Sequence, residues 1–263
     1  MDNPTLCHSI RNKLITKEDG LAISEVNSKP TSTIHIQRAY TDNTVAAATS
    51  KYVTEPYGTQ YTTTAPLRTT NKRFEVNTTV VGLVINVELE LVNESNEVEY
   101  VTLTTNGTSY VATTNANYKV CNDMRITSPR ALTGTERVWC RAQSGTNNNI
   151  YYVVLGALFK YNPVFMCGNL NGVERKATLI GFADARTNTA GAIKASVWPN
   201  GGATWTSKYS IDLPANVNSR VNVANDGLLT LSAGEWIVWG RLTSTSVNTT
   251  CAINAKWRLD NVS

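Results

Sequence analysis

Histidine is nearly missing from this chain. Two occur in 263 residues, His8 and His35, both in the N-terminal part. General acid–base and nucleophilic catalysis lean on histidine more than on any other side chain, so few such sites are available. No G-x-S-x-G elbow surrounds a serine, no glycine-rich loop has phosphate-binding spacing, and no cysteine sits in a protease setting. The chain is therefore expected not to be an enzyme and to need no cofactor.

Charge is also scarce. Charged residues make up 17% of the chain and the net charge is +4, without a long Lys/Arg run. The densest basic spot is Asn71–Arg73. A nucleic-acid footprint needs a clustered basic stripe, so nucleic acid is not an expected partner. No apolar run approaches a membrane span, and the first ten residues, MDNPTLCHSI, lack a signal-peptide core. Neither a membrane nor classical secretion is expected. The five cysteines, Cys7, Cys121, Cys140, Cys167 and Cys251, are odd in number and widely spaced, with no C-x-x-C. That excludes a recognisable disulfide framework or structural zinc site and favours buried free thiols, though Cys121 and Cys140 remain open as a pair.

Helical periodicity is absent after Gly20. What is present is alternation. In VVGLVINVELELVN, Val80–Asn93, apolar side chains recur at Val81, Leu83, Ile85, Val87, Leu89 and Leu91. Period two over that length reads as a long half-buried strand. NESN then turns the chain, and EVEYVTLTTNGTSYVAT, Glu97–Thr113, reads as a hairpin about a type I′ Asn106-Gly107 turn. Three such strands make an antiparallel meander. TSTIHIQRAY, Thr31–Tyr40, is a strand with Ile34 and Ile36 on one face and Thr33, His35 and Gln37 on the other. Further strands are read at Asn117–Ser128 and Thr135–Gln143.

SGTNNN, Ser144–Asn149, is the best linker. After it come IYYVVLGALF, KATLIGFADA, AIKASVW, TWTSKYSIDL, GLLTLS, EWIVWGRL and CAINAKWRL. Turn signals at Asn171-Gly172, PNGG, NDG and SAGE separate them. In the last strand Cys251, Ile253, Ala255, Trp257 and Leu259 face one way. The expected fold is all-β: two antiparallel, jelly-roll-like β-sandwich domains, residues 31–145 and 146–263, behind an extended arm of residues 1–30. In the arm Ile10, Leu14 and Ile15 form one stripe of a short helix, which would need a neighbour to dock on.

Two side-chain groups stand out. If Val92 lies opposite Glu97, then Glu90 lies opposite Glu99. Such a like-charge pair could take a hard cation or serve a glycosidase; the plainer alternative is a solvated strand face. Trp198 and Trp205 flank the PNGG turn and could stack on a glycan, whereas Trp236 and Trp239 point to opposite faces of one strand and Trp257 lies on an apolar face. The remaining polar faces are rich in Thr, Asn and Ser, which suit packing between copies of one chain.

The segment Val87–Trp139, together with KATLIGFADA, AIKASVWPNGG and the CAINAKWRLDNV ending, resembles uncharacterised virion structural proteins of tailed bacteriophages. The resemblance covers about Val80–Ser263. It implies a virion component: a capsid decoration, a minor capsid protein or a tail-associated part. Its implied partners are other virion proteins, among them the major capsid or tail proteins, and further copies of itself, with a trimer as the expected homo-oligomer. The alternative is a carbohydrate-binding adhesin or receptor-binding module of a virus particle.

Overall fold

Alternating apolar residues do become strands. A computed structural model describes residues 32–41, 51–52, 72–143, 153–187, 191–198, 206–213, 219–222, 229–242 and 251–262, and among them every regular element is a β-strand. The first half carries β1 (Ser32–Thr41), β2 (Lys51–Tyr52), β3 (Phe74–Thr78), β4 (Asn86–Asn93), β5 (Val98–Thr104), β6 (Val111–Ala112), β7 (Tyr118–Ile126) and β8 (Arg137–Ala142). There follow β9 (Val153–Gly156), β10 (Lys160–Tyr161), β11 (Val164–Met166), β12 (Arg175–Thr187) and β13 (Gly191–Trp198). The last are β14 (Thr206–Leu213), β15 (Ser219–Asn222), β16 (Leu229–Ser232), β17 (Trp236–Leu242) and β18 (Cys251–Asn261). All the strand pairings within sheets for which a register is resolved are antiparallel.

Four sheets result. Their orders are β10-β9-β8-β3-β6, β5-β4-β7, β11-β17-β13-β14 with β2 on β17, and β1-β18-β12-β15 with β16 on β12. The first two enclose one core, built from Phe74, Val76, Val138 and Cys140 on one side and Val87, Leu89, Leu91 and Met124 on the other. The fourth sheet supplies Leu179, Phe182, Ile253, Ala255, Trp257 and Leu259 to a second core.

The third sheet belongs to both. Across β11 and β17 the register is Val164↔Val238, Phe165↔Ile237 and Met166↔Trp236. Cross-strand partners share a face and neighbours along a strand do not. Accordingly Val164, Met166, Trp236 and Val238 lie in the first core, and Phe165, Cys167, Ile237 and Trp239 in the second. These strands are buried on both faces, so their sequences read as continuous apolar runs. The shared wall explains why Ile34–Ser263 forms one compact unit, with Met1–Thr33 assigned to another.

The sheets do not divide at the expected boundary of residue 145. β8 pairs with β9 across it, and β1, expected in the first sandwich, lies beside β18 at the edge of the last sheet. The expected meander also fails. β4 and β5 do form a hairpin, but after Thr104 the chain leaves that sheet, and β6 pairs with β3 instead. Thr105 makes the exit: its hydroxyl donates to the Leu83 carbonyl at 2.9 Å and accepts from the Ile85 amide at 3.0 Å.

The stretch Val80–Ile85 is correspondingly a loop, not the start of β4. Leu83 and Ile85 keep the buried side of the pattern, but Val81 is 84% and Val84 60% exposed. At the expected type I′ turn only Gly107 has positive φ (57°), and the Ser109 amide closes the turn on the Asn106 carbonyl. The I′ chemistry appears at Asn171-Gly172, where φ is 54° and 75° and Leu170 and Val173 exchange both backbone hydrogen bonds.

Candidate functional site

The largest departure from simple patterning is β1. Its polar side is inside. His35 and Gln37 are buried, whereas Ile34 is 57% exposed, so the face that hydropathy alone would turn outwards is the inner one. The reason lies in the second core, where the indoles of Trp239 and Trp257 need acceptors. Both N–H groups donate to Gln37 Oε1, at 2.9 and 3.1 Å. Gln37 Nε2 donates in turn to the Pro163 carbonyl at 2.6 Å and the Ile237 carbonyl at 3.4 Å. One amide thus satisfies two buried indoles and two buried carbonyls. A leucine in its place would leave all four groups without this partner, and each buried unsatisfied group costs about 1–3 kcal/mol.

His35 stacks on Phe165, with centroids 4.4 Å apart and planes 19° from parallel. Burial, and then the charges of Lys160, Arg38 and Arg175, lower its pKa to about 3. It is a neutral packing residue at physiological pH and a very weak base. The buried Asn162 stands 3.3 Å from its ring nitrogen and continues the network. Asn162 Nδ2 donates to the carbonyls of Ile36 and Asn122, and its Oδ1 accepts from the Arg38 amide. Asn122 then behaves as a strand partner for Met166: its Nδ2 donates to the Met166 carbonyl and its Oδ1 accepts the Met166 amide, both at 2.9 Å. Gln37, Asn162 and Asn122 form a seam of carboxamides that ties β1 and β7 to the β11–β17 pair. Fully satisfied buried networks of this kind fix one arrangement of strands.

The acidic pair is not a pair. The observed register sets Val92 against Val98, Leu91 against Glu99 and Glu90 against Tyr100. Glu90 and Glu99 therefore lie on opposite faces of the sheet, because a slip of one residue reverses every side chain. The cause is Asn93. Its Oδ1 accepts the Ser95 and Glu97 amides, its own amide bonds the Glu97 carbonyl, and Asn96 takes the left-handed position at φ 63°. Glu99 accepts from Asn93 Nδ2 at 2.6 Å and from the Tyr118 hydroxyl at 3.0 Å.

Glu90 meets another acid, from the other side. It lies in direct register with Asp123 of β7. Lys160 Nζ is 2.5 Å from Asp123 Oδ1, and Asn122 Nδ2 donates to Glu90 at 3.3 Å. Burial, followed by the Asp123 charge, holds the Glu90 carboxyl above the usual range against the opposing pull of Asn122, Arg175 and Lys160. Among the described residues, no group of three or more His, Cys, Asp or Glu side chains is placed to hold a metal ion.

Cys121, Cys140 and Cys167 are buried free thiols. Burial is the main cause that raises Cys121 well above its ordinary value and pushes Cys167 up to about 12, so neither offers a ready thiolate. Trp236 and Trp239 do point to opposite faces, one into each core, and Trp257 is buried in the second. Trp198 ends β13, in register with Trp236. Trp205 and the arm residues Ile10, Leu14 and Ile15 lie outside the described residues.

Among the described residues, one loop exposes a compact apolar group. Val80, Val81 and Val84 project from a loop that is held by the Thr78 amide on the Gly107 carbonyl and the Gly107 amide on the Leu83 carbonyl. A Cβ at Gly107 would come within 2.5 Å of the Gly82 nitrogen, so glycine is needed there for the close approach. Neither this loop nor the carboxamide seam was legible beforehand. Nothing local in IHIQRAY or YNPVF marks Gln37 or Asn162, whose partners are supplied by distant strands.

No protein-family model matches the chain, and no curated protein matches it by sequence. Among solved structures it is similar to a chain of the infectious bursal disease virus Gt strain, at 11% identity over 87% of this chain and 72% of that one, with a TM-score of 0.21. It is likewise similar to a chain of the T13 viral particle of that virus (12% identity, 87% and 69% covered, TM-score 0.22). A third is its VP2 subviral particle (12%, 88% and 72%, TM-score 0.20).

Proposed function

We propose that the chain is a structural component of a virus particle, acting through contacts with other virion proteins and with further copies of itself rather than through chemistry. In this reading it serves as a capsid decoration, a minor capsid protein or a tail-associated part of a tailed bacteriophage. The observation that carries the proposal is how the polar groups are used. His35, Gln37, Asn122 and Asn162 are consumed in joining strands, and the buried Cys121 and Cys167 offer no ready thiolate. Among the described residues, Val80, Val81 and Val84 are left uncovered on a hydrogen-bonded loop of the β scaffold. Single exposed apolar residues are ordinary, but three within five positions on a fixed loop suit a contact surface. The resemblance of Val80–Ser263 to phage virion proteins points the same way.

The test is mass spectrometry of purified virions, with copy number measured against the major shell protein. Stoichiometric recovery is expected, many copies for a decoration and few for a tail part. Absence from intact particles would overturn the proposal.

A further inference from the structure

The Lys160–Asp123–Glu90 cluster is more than an ion pair can use. Lys160 Nζ faces both carboxylate oxygens of Asp123, at 2.5 Å and 2.6 Å. This holds the Lys160 nitrogen against the carboxyl group, the contact from which an attack on Cγ would start. Asp123 is held by its own main chain, since the Met124 amide donates to Oδ1 at 2.9 Å. The third member comes from the neighbouring strand. Glu90 is in direct register with Asp123, so the two Cβ atoms lie within about 5.5 Å and their carboxyl groups can meet. The two adjacent acids thus share Lys160, and the Arg175 charge also acts on Glu90.

We propose that Lys160 and Asp123 form an intramolecular isopeptide bond, with Glu90 as the proton carrier. One proton passes from the Lys160 ammonium to the Asp123 carboxylate, which leaves an amine facing a carboxylic acid. The amine nitrogen attacks Cγ and a C–N bond forms. Glu90, protonated, gives its proton to the departing hydroxyl, the C–O bond breaks, and water leaves. Glu90 then takes the surplus proton from nitrogen and is restored. Nothing is oxidised or reduced, one water is released, and one positive and one negative charge disappear together.

The surroundings favour each step. Burial and the neighbouring Asp123 keep Glu90 towards its protonated form, the form a proton donor needs. Amide formation from a free acid and a free amine is unfavourable in water. Two groups fixed in contact react at effective concentrations of about 10⁵–10⁸ M, which offsets that. The link would join β7 to β10 and so bind the β5-β4-β7 sheet to the edge of the β10-β9-β8-β3-β6 sheet.

The experiment is intact-mass measurement of the purified full-length protein, followed by proteolytic peptide mapping. The expected mass is that of the sequence less one water, with the peptide containing Asp123 joined to the one containing Lys160. Lys160→Arg keeps the ion pair but cannot condense, and should show the full mass of its own sequence. Glu90→Gln should also show full mass, with an unchanged β-type circular dichroism spectrum. Asp123→Asn should still link, now by loss of one ammonia. A wild-type mass equal to that of the sequence would overturn the proposal. So would a lost water that maps to one linear peptide, because that marks a succinimide and not a cross-link.

Discussion

β1 and β18 lie side by side in one sheet and face one core, yet they fill it by opposite means. β18 buries Ile253, Ala255, Trp257 and Leu259, all apolar, with Asn254, Lys256 and Arg258 on the other side. β1 buries His35 and Gln37 and turns Ile34 outwards. The difference teaches that the inside of a strand is set by what the core lacks, not by hydropathy alone. β18 brings an indole into the core, β17 brings another, and each N–H needs an acceptor. Once those donors are buried, a glutamine contributes more than an isoleucine would.

The sharpest way to break this comparison is Gln37→Leu. It strips the partner from the Trp239 and Trp257 indoles and the Pro163 carbonyl, so a loss of about 5 kcal/mol is expected in urea denaturation. Next is acid. The folded pKa of His35, about 3, is below its ordinary 6.5, so the unfolded chain binds the proton first. The stability this group contributes is whole above pH 6.5 and drains away as pH falls towards 3, on the order of 5 kcal/mol in all. His35→Phe should flatten that part of the stability–pH curve while keeping the stack on Phe165. A wild-type curve with no slope in this window would contradict the buried neutral ring. On β18, Ile253→Val trims one methyl and should cost about 1 kcal/mol in the same urea assay, well below Gln37→Leu. The smallest effect belongs to the outward face of β1. Ile34→Thr should change stability by less than about 0.5 kcal/mol, and a larger loss would return Ile34 to the core.

The two strands also mark what the sequence disclosed. In β18 the apolar residues at every second position from Ile253 to Leu259 are buried, as the alternation predicts. The all-β class was legible for the same reason, as were the opposed Trp236 and Trp239. Asn171-Gly172 was legible as a turn because both residues tolerate positive φ. β1 was not, because the partners of Gln37 lie 202 and 220 positions away. The Glu90–Glu99 register failed by a single residue, through an Asn93 side chain that keeps its own residue in the strand and leaves a three-residue loop. Alternation alone gives no turn length. The division at residue 145 followed a polar run, whereas β-pairing crosses it and β11 and β17 serve two cores at once.

Hydrogen exchange at the tryptophan indoles, followed by NMR, tests the polar interior most directly. With Gln37 in place, the N–H groups of Trp239 and Trp257 should exchange only through unfolding, and Gln37→Leu should speed both together by orders of magnitude. Two indoles that exchange at the rate of free tryptophan in the wild-type protein would mean that β1 does not carry its glutamine into the core.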